Sequence, residues 1–547
     1  MPELRRQVEF IAWLAKMNPM KNEKLFHVGF IGSLLASFGL YTWLAKLYPL
    51  WPSLSNPLAS WVSMVGPSFG NVALHLAIYL ALILLYIGLL WLLVENASYP
   101  YVFRRKQTIV ILVTWLCCSG ILLTMSPAGE SHDIYDYIFR GRMITVYHGN
   151  PLVVVPDDYS LSTPYTRYLA WRKNVDTYGP VWEIYSATVS TGVRLVAQGL
   201  GWWDEQAPVC PHSTESCRLL TVYVTGYRIF AIILTGLSAW LIATIIGRCN
   251  PSLVPLGLAA WLLNPLTLFA TALGAHNDAV MLVFILLGCW FMQRQKPFLG
   301  ILSLIIAAHV KLTALIWFPA AGLWILYRWG WKRTIRVGLG ALVSGIVLSW
   351  FLYAPFGGWQ TLPRMLNERS KFLANSIWSV LKYFLYNLHH WPKINANLLS
   401  INLPTYLSVI GVILIPLWQF NILPKRWRHS IPYEDIPQNI LWKTMVIIGC
   451  FYLAVGSYWF QHWYILWVLT PAVLLSWHQF TRFILPWWAF GALVSNVVTN
   501  FLLTAVPKSG PVIWVYLATV AMIWMPFLVA AIIVIGRRKN VTHLERL

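Results

Sequence analysis

Apolar tracts close to the length of a membrane-spanning helix recur along almost the whole chain. A bilayer core needs about 20 apolar residues per helix. Tracts of that kind lie near residues 25–48, 72–94, 107–125, 220–247, 252–272, 279–293, 297–310, 312–329, 336–356, 402–420, 440–458, 463–479, 483–505 and 512–536. About fourteen transmembrane helices are therefore predicted, with 297–310 short enough to be half of a broken or re-entrant element. Polar residues interrupt the pattern at length in two places, 126–218 and 357–401. In the first, segment 180–199 carries Glu183 and Arg194, which are costly in lipid, so it reads as a helix lying on the membrane surface. In the second, Ile377, Val380, Leu381, Phe384, Leu385 and Leu388 fall at helical spacing, with Asn375 or Ser376 placed to cap the start. The expected fold class is all-α: a polytopic membrane protein with surface helices in a long first outer loop.

Composition sharpens this. Of 547 residues, 58% are hydrophobic and 11% charged, whereas a soluble chain carries about 25% charged residues. A soluble enzyme is excluded. Residues 1–24 are polar and basic, with no cleavable signal peptide evident. Aromatic residues reach 15%, including 32 Trp, as interfacial belts require. The net charge of +21 would raise nucleic acid as a partner for a soluble protein. Here the basic residues recur at alternate tract ends, among them Arg104-Arg105-Lys106, Arg248, Lys332-Arg333, Lys425-Arg426 and Arg537-Arg538-Lys539. That is the positive-inside pattern, so no nucleic-acid partner is implied. It places both termini in the cytoplasm, makes the number of spans even, and puts 126–218 and 357–401 outside. Most acidic residues fall on the outer side, among them Asp133, Asp136, Asp157, Asp158, Asp176, Asp204, Glu205 and Asp278. Cys210 and Cys217 share the outer loop, where a close pair reads as a disulfide before it reads as a metal site.

The chemistry is concentrated on that outer side. The richest cluster is Ser131-His132-Asp133-Ile134-Tyr135-Asp136-Tyr137-Ile138-Phe139-Arg140-Gly141-Arg142. If helical, it sets Asp133, Asp136 and Arg140 on one face. A carboxylate there suits a general base, and an interfacial ion-pair network with Arg140 and Arg142 suits the composition equally. His276-Asn277-Asp278 occupies a short turn, Lys311 lies between two tracts, and Gln461-His462-Trp463-Tyr464 opens a later one. Each has a plain reading as a capped turn, a snorkelling lysine or a belt anchor. Their common side makes them functional candidates together, because ionisable residues at membrane depth are costly. For Lys311 two readings stand: a salt bridge to Asp278 or the first-loop acids, or coordination of a phosphate.

Several of these pieces, in order, resemble the GT-C superfamily of polyprenyl-phosphate-sugar-dependent glycosyltransferases. The branch most resembled holds the mycobacterial and actinobacterial alpha-mannopyranosyltransferases. The pieces are Asp133-Ile134-Tyr135, Gly141-Arg142, Asn150-Pro151, Tyr178-Gly179-Pro180-Val181-Trp182, Asn264-Pro265-Leu266, Gly274-Ala275-His276-Asn277-Asp278-Ala279, Val310-Lys311-Leu312-Thr313, Tyr353-Ala354-Pro355-Phe356 and Gln461-His462-Trp463-Tyr464. They run over roughly residues 107–480. The resemblance implies a GT-C-type helical fold divided into four parts. These are residues 1–106 with two additional helices, a GT-C-like module at 107–356 with its catalytic outer loop at 126–218, a second outer loop at 357–401, and C-terminal helices at 402–547.

It also implies transfer of a sugar, mannose first, from a polyprenyl-phosphate donor to a glycan or glycolipid acceptor on the non-cytoplasmic face. The catalytic acidic residue of the family falls on Asp133 and its acidic turn on Asp278. Asp136, Arg140, Arg142, His276, Asn277, Lys311, Gln461 and His462 become candidates for binding the donor phosphate or sugar. The last motif departs from the family pattern, which has proline where this chain has His462. One base facing an anionic leaving group implies a single displacement with inversion. A lipid-linked-sugar flippase or secondary transporter is the alternative of another class, and arabinose or glucose the alternative sugars. No cofactor and no metal-ligand set is assigned, with a divalent metal left open.

Overall fold

The computed structural model describes residues 23–50, 65, 68–95, 101–159, 169–201, 217–387, 389–421, 439–505 and 512–544. Cys210, one half of the expected Cys210–Cys217 bridge, lies outside them. The described chain is helical throughout: α1 Glu23–Leu47, α2 Phe69–Glu95, α3 Tyr101–Leu123, α4 Asp133–Thr145, α5 Pro180–Gly199, α6 Cys217–Cys249, α7 Val254–Leu262, α8 Pro265–Leu273, α9 Asp278–Gln293, α10 Pro297–Val310, α11 Phe318–Tyr353, α12 Thr361–Arg369, α13 Ile377–Asn387, α14 Lys393–Asn421, α15 Asn439–Phe451, α16 Leu466–Val473, α17 Leu485–Ala505 and α18 Ile513–Leu544. Helices satisfy every backbone donor and acceptor within one segment, which a hydrocarbon surrounding demands.

Among the described residues, nine helices are long and apolar enough to cross a membrane, or ten if the bent pair α7–α8 counts as one span. The remaining apolar tracts take other forms for identifiable reasons. Tract 252–272 bends by 54° between α7 and α8. Asn264 causes the break: its carboxamide oxygen accepts from Leu266 N at 2.9 Å, its Nδ2 donates to Tyr86 Oη, and Pro265 follows. Tracts 279–293 and 297–310 form the shorter helices α9 and α10, and 463–479 yields only the eight-residue α16. Tracts 312–329 and 336–356 run together in α11, but Gly330 at φ 75° and ψ 171° interrupts it. Beyond that glycine, Trp331, Leu339, Leu342, Val343, Trp350 and Phe351 are all exposed, the pattern of a lipid-facing flank.

The two long polar segments carry short helices, as the pattern of apolar residues predicts. In α5, Trp182, Glu183, Ser186, Val189, Ser190 and Val193 are buried, while Ile184, Leu195 and Val196 are exposed. The start of α13 is capped by Ser376 rather than Asn375: Ser376 Oγ accepts from Ser379 N at 3.3 Å. The two segments are tied together. Asn174 donates to Glu368 of α12, and Asn150 Nδ2 donates to Phe356 O at 2.7 Å.

One buried side chain organises the end of the bundle that carries the polar residues. Arg228, on α6, donates to the carbonyls of Leu122, Leu123 and Met125 at the end of α3 and to Leu273 O at the end of α8. Helix C-termini leave carbonyls without intrahelical partners and concentrate negative partial charge. A single guanidinium therefore fixes both turns that follow, 124–132 and 274–277.

Candidate active site

The first of those turns delivers Glu130 and then Asp133 at the start of α4. Asp133 is 8% exposed, and Trp171 Nε1 donates to its Oδ1 at 3.1 Å. Asp136, one turn along, accepts from the backbone N–H groups of Ala170 and Trp171, both at 3.1 Å. Asp136 thus holds the strand of chain that presents Trp171 to Asp133. Burial pushes the Asp136 carboxyl up to about 7, against the opposing pull of Arg140. Trp171 also packs with Phe372 and Trp459, whose ring centroids lie 4.8 and 5.8 Å away, giving a half-buried aromatic wall beside Asp133.

Arg140 and Arg142 are committed elsewhere. Arg140 Nε lies 3.3 Å from Asp176 Oδ2, and its Nη2 donates to Asn174 O at 3.0 Å. Glu183 completes this group: burial, then the neighbouring Asp176, pushes its carboxyl well above the usual range. Arg142 donates to Tyr223 Oη at 3.3 Å and packs against the Tyr223 and Tyr147 rings. Both arginines anchor the first loop to α5 and α6.

The second turn delivers His276, Asn277 and Asp278. Asp278, at the start of α9, is fully buried and receives Lys311 Nζ on both carboxylate oxygens at 3.0 and 3.1 Å, together with the Trp467 indole N–H. The salt-bridge reading of Lys311 is realised. Lys311 is reachable because α10 stops at Val310 and Lys311 itself is extended, at φ −153° and ψ 121°. The break is held by Gly179, whose N–H donates to Val310 O at 3.0 Å; a Cβ there would run into the His309 carbonyl. The ammonium also lies over the rings of Tyr464, Trp467 and Tyr178, at 4.6, 5.0 and 5.5 Å. Arg369 Nη2 donates to Tyr464 Oη at 3.1 Å, so two cations meet at one tyrosine. Burial, then Asp133, pushes the Tyr178 phenol up.

His276 and His462 meet at Glu130. His462 Nε2 lies 2.8 Å from Glu130 Oε1 and His276 Nε2 lies 3.2 Å from Glu130 Oε2, all three side chains being buried. Burial alone would raise the Glu130 carboxyl, but the two imidazoles outweigh it and hold it at about 2. Asn277 is buried with neither amide atom hydrogen-bonded. The Gln461 side chain makes no hydrogen bond among the described residues; its backbone carbonyl accepts from Tyr464.

The structure thus joins Asp133, His276, Asp278, Lys311 and His462 into one polar region and sets Arg140 and Arg142 apart in a supporting network. Of the cations in segment 357–401, Arg369 enters the region, while Lys371 pairs with Glu368 and Arg364 is exposed. Glu130, Trp171 and Trp467 are additions that the sequence did not single out. For Glu130 a signal existed: it is a lone acid in Pro-Ala-Gly-Glu directly after an apolar tract. Beside Lys311 an apolar cavity of about 660 Å³ opens between α10 and α11, lined among others by Ile305, His309, Leu312, Leu342 and Tyr353.

Residues 26–327 match the family described as alpha-(1->6)-mannopyranosyltransferase, N-terminal domain. The matched region includes α1 and α2 and stops before α12 and His462. A Mycolicibacterium smegmatis protein named "Probable alpha-(1->6)-mannopyranosyltransferase" is 24% identical over 302 residues, which are 47% of this chain and 48% of that protein. The chain spans about half the length of the curated relative it matches.

Proposed function

The chain belongs to the alpha-(1->6)-mannopyranosyltransferase family, and on that premise we propose that it transfers mannose from a polyprenyl-phosphate donor to a glycan or glycolipid acceptor. The reaction takes place on the non-cytoplasmic face of the cell membrane, with inversion at the anomeric carbon. The observation that carries this reading is the apolar cavity beside Lys311. It offers a lipid tail a path between α10 and α11, along a wall that includes Leu312, the residue after Lys311.

The chemistry follows from the residues of the polar region. Asp133, held in place by Trp171, accepts the proton of the acceptor hydroxyl as its oxygen forms the bond to the sugar carbon. The bond from that carbon to the phosphate oxygen breaks, and its electron pair stays on the phosphate. A phosphate monoester has a second pKa near about 6, so it leaves as an anion and needs positive charge rather than a proton. Lys311 and Arg369, on either side of Tyr464, supply that charge in a site shielded from water. Trp171, Phe372 and Trp459 form the sugar-facing wall. The 126–218 loop is the catalytic loop, and 357–401 contributes Arg369 and Phe372.

The experiment is direct. Purified protein in lipid is offered radiolabelled polyprenyl-phosphate mannose, arabinose and glucose in parallel, each with a mannoside acceptor. Consumption of the mannose donor with label on the acceptor is the expected result. Consumption of another sugar alone overturns the donor assignment, and movement of intact donor across the bilayer without transfer overturns the enzymatic reading.

A further inference from the structure

We propose that Glu130, His276 and His462 form a binding site for a divalent transition-metal ion of the zinc class, and that this ion locks together the two segments that carry Asp278 and Tyr464. One ligand atom from each residue lies within 4.8 Å of the others, and all three residues are buried. Ligands about 2.0–2.2 Å from a shared ion stand roughly 3–4 Å from one another. The observed separations of 2.8 and 3.2 Å from the carboxylate to the two imidazoles need only a small opening to admit one. Two imidazole nitrogens with a carboxylate oxygen are the donor set that selects zinc and its neighbours over magnesium or calcium.

The site is built rather than accidental. Its ligands come from chain positions 146 and 332 residues from Glu130, so nothing local brings them together. Arg228 fixes the ends of the helices before both the Glu130 and His276 turns. Asn496 Nδ2 donates to Gly129 O at 2.7 Å, holding the Glu130 turn from a third side. Gly274 leaves the space for closure, since a Cβ there would stand 2.8 Å from His276 Nε2 and 3.2 Å from Glu130 Oε2. The Trp463 ring stacks on His276 at 3.6 Å, and Tyr137 Oη lies 3.4 Å from His276 Nδ1, the outer contact that orients a ligating imidazole. The Nδ1 of His462 is buried with no partner. His462 stands where the sequence pattern that the chain resembles has proline, which offers no ligand atom.

The consequence is positional. His276 lies two residues before Asp278, and His462 two residues before Tyr464. An ion clamping both to Glu130 fixes the carboxylate and the aromatic face between which Lys311 sits. The metal claim stands on the cluster itself; only its positioning role rests on the proposed transfer site.

The test reads metal, not turnover. Full-length protein is purified in lipid nanodiscs without chelators and analysed by inductively coupled plasma mass spectrometry, then stripped and titrated with cobalt(II) alone. The expected result is about one zinc-class ion per chain, since a preformed ligand set retains its metal through purification, with d–d absorption on adding cobalt. Both should be lost in Glu130→Gln and His462→Gln and kept in Asp133→Asn. If His462→Gln fails to fold, His462→Pro carries the same measurement, and the wild-type cobalt spectrum decides by itself. Wild-type protein with neither stoichiometric metal nor a cobalt spectrum overturns the proposal, as does full metal content in folded Glu130 and His462 variants. A chain that binds metal but transfers no mannose would overturn the functional reading and leave the site intact.

Discussion

Replacing Lys311 separates a structural ion pair from a phosphate ligand. Its side chain is 7% exposed and that of Asp278 is 0% exposed, so each charge depends on the other. Removing one partner of a buried pair costs about 3–5 kcal/mol, because the other is left uncompensated. In Lys311→Gln, Asp278 keeps the Trp467 N–H and its place at the start of α9, where a helix N-terminus favours a carboxylate by up to about 2 kcal/mol. The loss should therefore fall near about 3 kcal/mol. In Asp278→Asn the ammonium keeps three aromatic faces, each worth about 0.5–2 kcal/mol, so a loss of similar size is expected. The double variant should recover about 1–3 kcal/mol of coupling. If Lys311 also meets the departing phosphate, Lys311→Gln should slow transfer by about 10²–10³-fold, as removal of one preorganised donor does. Lys311→Arg should restore only part of it, because a planar fork does not replace a point charge. The assay pairs thermal inactivation in nanodiscs with donor KM and kcat. Lowered stability with unchanged donor KM and kcat in Lys311→Gln would refute the phosphate role and leave a structural ion pair.

The other predictions address the base, its support and the topology. Asp133→Asn should abolish transfer, by at least about 10²-fold, while donor binding and folding persist; near-normal turnover would move the base to Asp136 or Asp278. Trp171→Phe keeps the aromatic wall but removes the indole donor to Asp133, and should lower kcat more than it raises KM. Asp136 sits at about 7 in the fold against an ordinary 3.8, so its ionisation opposes folding increasingly as pH rises from about 4 to 7 and no further above that. The stability lost in Asp136→Asn should accordingly be smaller at pH 8 than at pH 5.5, and a flat or inverted trend in melting temperature would contradict a neutral Asp136. A cysteine placed at exposed Asn367 should react with a membrane-impermeant reagent in intact cells; reaction only after permeabilisation would reverse the assigned topology.

The sequence by itself determined the fold class and brought forward several of the side chains that the structure gathers into one polar region. Apolar length dictates helices in a bilayer, and a charged residue such as Asp133, Asp278 or Lys311 at that depth stands out because it is costly. The family pattern, read from short ordered pieces, agrees with the match over residues 26–327. The tertiary structure decided who partners whom. Hydropathy sums over a window and does not register one Asn264-Pro265 or one Gly330, yet those residues bend or divide a continuous apolar tract. Charge alone makes Arg140 and Arg142 as eligible for a phosphate as Lys311. Packing gives Arg140 to Asp176 and Arg142 to Tyr223, and brings Arg369 from segment 357–401 to Tyr464 instead. Glu130 is one acid in an unremarkable turn until Arg228 and Asn496 fix that turn beside His276 and His462. Such contacts join residues hundreds of positions apart, and they depend on helix ends whose relative placement no local sequence pattern encodes.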